Sequence, residues 1–140
     1  MSLVQLFQDK VPEIFSFLDD EFGFDFVKIN DYITIGRKED INVHFVFDRG
    51  ILFSVGIEVK GDLGKLAIAD ARYRKLGATA IARCLDDSYK PLIVNIRNED
   101  DLINQMIERA MVLKKYCKKI LKGDVSDWER IVNCLLNTNT

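Results

Sequence analysis

Leu3, Leu6, Phe7, Val11, Ile14, Leu18 and Phe22 recur at spacings of three and four, with mostly polar residues between them. That period gathers the apolar positions onto one stripe of an α-helix. Pro12 interrupts the stripe, because proline has no amide hydrogen and its ring crowds the carbonyl four residues back. The pattern predicts either a kink at Pro12, or a first helix ending at Asp9 or Lys10 and a second beginning near Pro12. Gly23 supplies the stop.

From Phe24 the period falls to two. Phe24 to Ile29 and Tyr32 to Ile35 read as strands joined at Asn30-Asp31. Ile41, Val43, Phe45 and Phe47 then alternate with Asn42, His44, Val46 and Asp48. After Asp48-Arg49-Gly50, the residues Ile51, Phe53, Val55, Ile57 and Val59 alternate with Leu52, Ser54, Gly56, Glu58 and Lys60. Two alternating runs around a glycine-containing turn predict a β-hairpin with one buried face. Residues 24–60 are thus expected to form a four-stranded antiparallel meander, dry on one face and wet on the other.

The stretch 61–97 is less regular. Leu66, Ala69, Tyr73 and Leu76 fit a helix closed by Gly77, residues 78–85 suit more than one state, and Leu92, Val94 and Ile96 alternate as in a short strand or an extended loop. Regularity returns at Asn98, an N-cap followed by Glu99, Asp100 and Asp101, whose charges suit the positive end of a helix dipole. Ile103, Met106, Ala110, Leu113, Cys117 and Ile120 form the apolar stripe of that helix. Lysines 114, 115, 118, 119 and 122 load its negative end, and Gly123 closes it. Ser126-Asp-Trp-Glu129 has the form of a capping box for a short last helix that buries Trp128, Ile131, Val132 and Leu135. The polar tail Asn137 to Thr140 is expected to fray.

The fold class is therefore α+β: an N-terminal helix, a four-stranded antiparallel meander, and a long and a short C-terminal helix packed on one sheet face. The 140 residues suit one domain over 1–140. Nearly half the residues are hydrophobic, which is enough for a core without disulfide or metal staples. The net charge of −2 gives no long-range field to gather nucleic acid or an anionic membrane, so neither is expected as a partner. No run approaches the roughly 20 apolar residues of a membrane span, and Met1 to Leu6 lacks the pattern of a signal peptide. Cys84, Cys117 and Cys134 are odd in number and widely spaced, which argues for buried, reduced thiols and a cytoplasmic location.

Candidate chemistry is sparse. His44 is the single histidine and lies on the polar face of its strand, with only Asn42 and Asp48 nearby in sequence. Gly61-Asp-Leu-Gly64 follows a strand but lacks the signature of a phosphate loop and reads as a surface turn. Two groups of charge remain as surfaces. Glu13, Asp19, Asp20 and Glu21 give the first helix an acidic wet face, suited to a basic partner. Arg72, Arg74, Lys75 and Arg83, with Tyr73 among them, form a candidate basic patch.

The segment from Leu113 to Trp128, a helix ending in Leu-Lys-Gly-Asp and followed by Ser-Asp-Trp, resembles the close of many small bacterial α+β proteins. Some of these look like immunity proteins of toxin–immunity systems. The order of elements, a helix before a meander and helices after it, is similar as well. The resemblance implies a non-catalytic protein-binding domain, of immunity type, with a protein partner, no cofactor and no enzymatic activity. The alternative is a domain that binds a small molecule or nucleic acid, or an enzyme of another kind, with Phe45, Phe47, Phe53, Tyr73 and Tyr89 lining a pocket between sheet and helices. A homodimer through the 99–121 helix or an open sheet edge is a further option.

Overall fold

The structure is a computed structural model that describes residues 1–137; the tail residues 138–140, expected to fray, lie outside the described ones. Helix α1 spans Leu3–Ile14 and α2 spans Phe17–Phe22. Ser2 caps α1 by accepting the Gln5 amide at 3.1 Å. The helix passes through Pro12 and breaks at Phe15-Ser16. Pro12 lies in the last turn, where it leaves the Gln8 carbonyl without its ladder donor, and the helix ends two residues later. Gly23, at φ 77°, ends α2 in the left-handed conformation that glycine adopts without penalty.

Five strands follow one another in a single antiparallel sheet of order β1-β2-β3-β4-β5: Asp25–Asn30, Ile33–Lys38, Ile41–Asp48, Leu52–Val59 and Lys75–Gly77. The expected four-stranded meander is present, and a fifth strand extends it. Lys75, Leu76 and Gly77 pair with Glu58, Ile57 and Gly56 of β4. The helix expected over Leu66 to Leu76 does not form. Helix α3 covers Gly61–Ala67, a 3₁₀ turn covers Ala71–Tyr73, and Gly77 precedes helix α4 (Ala78–Leu85) instead of closing a helix. The Asp70 carboxylate accepts the Arg72 amide at 3.0 Å, a local turn that competes with helix propagation. Residues 86–98 run without regular structure over the surface, so the alternation at Leu92, Val94 and Ile96 belongs to an extended loop.

The long helix α5 spans Glu99–Tyr116, capped by Asn98, whose side chain accepts the Asp101 amide at 2.9 Å. It breaks at Cys117 and resumes as α6 (Lys118–Leu121). Hydrogen bonds from Cys117 to Leu113 and from Leu121 to Cys117 carry the helical path across the break. Helix α7 spans Trp128–Asn137. The expected Ser126–Glu129 capping box is not among the described hydrogen bonds; the Asp124 carboxylate accepts the Ser126 amide at 3.0 Å and shapes the turn instead.

The inward faces of β3 and β4 contribute Ile41, Val43, Phe45, Phe47, Phe53, Val55, Ile57 and Val59, all buried. Helices α1, α4 and α5 contact these strands. Phe7 and Phe15 of the N-terminal segment join them, with the rings of Phe15 and Phe45 only 4.6 Å apart between centroids. Each such side chain, fully buried, contributes about 1.5–3 kcal/mol of transfer free energy, so this layer is a substantial part of the fold's stabilisation. Trp128 is fully buried and donates its indole N–H to the Tyr73 carbonyl at 2.8 Å, tying α7 to the 3₁₀ turn.

Candidate functional site

The outward face of the sheet is built by the same alternation that builds the core. Asp25, Arg37, Asn42, Glu58 and Lys75 stand opposite one another in register across all five strands. The next row holds Val27, Ile35, His44, Gly56 and Gly77. A polar row beside a largely apolar one gives this face a graded surface.

His44 meets neither Asn42 nor Asp48 directly; its partner comes from the neighbouring strand. Its Nε2 lies 3.1 Å from Glu58 Oε1, and Asn42 Nδ2 donates to the same oxygen at 3.2 Å. Burial alone would raise the Glu58 carboxyl, but the hydrogen bonds with His44 and Asn42, with the electrostatic interactions of His44 and Lys75, outweigh it and hold the group below the ordinary glutamate range. Sequence reading missed Glu58 because the pairing is across strands; the one available signal was the hairpin register.

The acidic group lies on α2, which packs against the inward side of the sheet, with Leu18 over Gly36 of β2. Asp19, Asp20 and Glu21 are exposed on α2, and their carboxylates make no ion pair or side-chain hydrogen bond among the described residues. Glu13 is different, since Lys10 pairs with it at 3.1 Å on the neighbouring helix. Gly23 and Phe24 lead from α2 directly into β1, whose outer edge no other strand covers among the described residues. Exposed Asp25 opens that strand and adds a fourth carboxylate to the corner.

The basic patch does not assemble as a free surface. Arg72 is bound by Asp70 through two of its nitrogens. Arg74 donates to the Ile68 and Ala69 carbonyls at 3.1–3.2 Å and fastens the α3–β5 connection. Lys75 lies on the sheet opposite Glu58, and Arg83 is exposed on α4. The turn Gly61-Asp-Leu-Gly64 opens α3, and a side chain at Gly64 would stand 2.9 Å from the Val59 carbonyl oxygen. That glycine serves close packing of helix on strand.

A buried polar cluster lies under the 86–98 loop. Arg109 and Gln105, both buried, donate to the Leu92 carbonyl at 3.1 and 2.6 Å. Glu108 pairs with Arg109 and accepts the Tyr89 hydroxyl. Tyr116 donates to Asp86 at 2.6 Å, and its ring meets that of Tyr89 edge-on. These contacts pin a loop that has little backbone bonding of its own.

The cysteines correct the sequence reading. Cys84 of α4 and Cys134 of α7 form a disulfide, with Cα atoms 6.0 Å apart across 50 residues of chain. The packing of α7 on α4 brings them together, a contact that spacing along the chain does not encode. The argument for a reducing compartment from cysteine usage falls with it. Cys117 is free and buried, and burial pushes its thiol up to about 12.

No helix among the described residues is long and apolar enough to cross a membrane. No protein-family model, curated protein or solved structure matches the chain.

Proposed function

We propose that this chain is a non-catalytic protein-binding domain, of the kind found among immunity-type inhibitors, and that it offers its acidic corner to a basic protein surface. The observation that carries this reading is the set of exposed carboxylates Asp19, Asp20 and Glu21, unpaired among the described residues, beside the open edge of β1. Clustered like charge costs self-repulsion in the free protein, and a complementary partner relieves it. An open strand edge adds main-chain donors and acceptors to which a partner segment can pair. A pocket between sheet and helices, which the small-molecule reading needs, meets a layer filled by Phe7, Phe15, Phe45, Phe47 and Phe53. That filling supports the binding-domain reading over its alternative.

The test is affinity capture from the source organism's lysate with the wild-type chain and with the triple variant Asp19→Lys, Asp20→Lys, Glu21→Lys. The expected result is one stoichiometric protein partner with a basic surface on the wild type, lost from the variant. Retention of the same proteins by both, or capture of nucleic acid in place of protein, overturns the reading.

A further inference from the structure

Helix α5 carries a second surface, which borders the N-terminal segment: the Lys114 ammonium sits over the Phe17 ring of α2, 4.7 Å from its centroid. Ile107 and Met111 are one turn apart and are 54% and 48% exposed, although the opposite side of the same helix is buried. With Ile14 of α1, Ala110, Lys114 and Lys115 they line an open groove of about 500 Å³. Asp100 and Asn104 continue the exposed stripe at helical spacing towards the start of α5, and exposed Lys118 continues it just past the break at Cys117, as the first residue of α6. The stripe is therefore acidic at its start, apolar at its middle and basic at its end.

We propose that this stripe is the interface of a two-fold dimer in which α5 of one copy lies antiparallel to α5 of a second. The partner is argued from charge. A two-fold axis midway between Ile107 and Met111 sets each Ile107 against the other copy's Met111, by sequence position alone. The same axis sets Asp100 of each copy against Lys118 of the other, and Asn104 against Lys114. Both ends of the pair are then complementary, and the two helix dipoles oppose each other favourably. A parallel arrangement would stack acid on acid and lysine on lysine. The 18 residues of α5 give a contact about 27 Å long. An exposed apolar centre with a charged rim is the usual anatomy of such an interface.

The experiment is light scattering on the purified full chain across a concentration series, with circular dichroism to check folding. The expected mass rises from that of one chain towards two, and Ile107→Lys or Met111→Lys holds it at one. Asp100→Lys alone and Lys118→Asp alone each weaken the dimer at least tenfold, and the double variant restores it, because the reversed charges still meet. A single-chain mass at every concentration overturns the proposal. So does a dimer indifferent to Ile107→Lys, which would place the contact elsewhere, or failure of the double variant to restore it, which would exclude the antiparallel register.

Discussion

Arg109 and Glu108 form an ion pair whose side chains are 7% and 13% exposed. Burial lowers the Arg109 pKa from its ordinary value, yet guanidinium remains charged at any pH the fold survives. Removing one charge of such a pair leaves the other buried without compensation. Arg109→Ala should therefore cost about 3–5 kcal/mol in urea denaturation, whereas Glu108→Gln with Arg109→Met should cost far less. Glu58 gives a pH-dependent test. Its folded carboxyl is depressed, so the stability it contributes is complete above the unfolded value near 4.3 and is lost as pH falls through the folded one. The melting temperature of Glu58→Gln should lie below wild type at pH 7, and the gap should close as pH falls through the depressed folded value. A gap that stays constant with pH would mean the pairing with His44 adds nothing electrostatic.

At the scale of elements, the Cys84–Cys134 disulfide joins α4 to the C-terminal α7. Closing a loop of 50 residues restricts the unfolded chain, and such links typically stabilise by about 2–4 kcal/mol. Reduction, or Cys84→Ser with Cys134→Ser, should lower the denaturation midpoint accordingly without altering the sheet. Under native oxidised conditions an alkylating reagent should find no thiol, since Cys117 is buried and protonated. Denaturation should release one reactive group per chain and reduction should add two.

For the whole molecule, the acidic corner and the α5 stripe give the protein two outward surfaces of different character. Association through the corner rests on charge, and its rate should fall at least tenfold as salt is raised from low to about 1 M, where the screening length shrinks to about 3 Å. Association through α5 has an apolar centre and should survive the same salt in part. Stopped-flow and light scattering at two salt concentrations separate the two, and equal sensitivity would contradict this division of surfaces.

The sequence by itself determined the elements that bury a periodic stripe. Alternation at Ile41 to Phe47 and Phe53 to Val59 specified the central hairpin and its inward face, since a one-residue slip would turn every side chain to water. Asn98, the acidic first turn and the lysine-rich end specified α5. The exposed carboxylates of α2 were legible too, because a polar helix face follows from the apolar one. Tertiary structure decided the rest. The strand at Lys75–Gly77 is too short to show a period, and only the free edge of β4 makes it a strand. Leu66, expected inside, is 77% exposed because its helix ends at Ala67. His44 with Glu58, Arg109 with the Leu92 carbonyl, and Cys84 with Cys134 are partners across elements. Local propensity acts over a few residues, whereas these contacts arise only once packing has set where the elements lie.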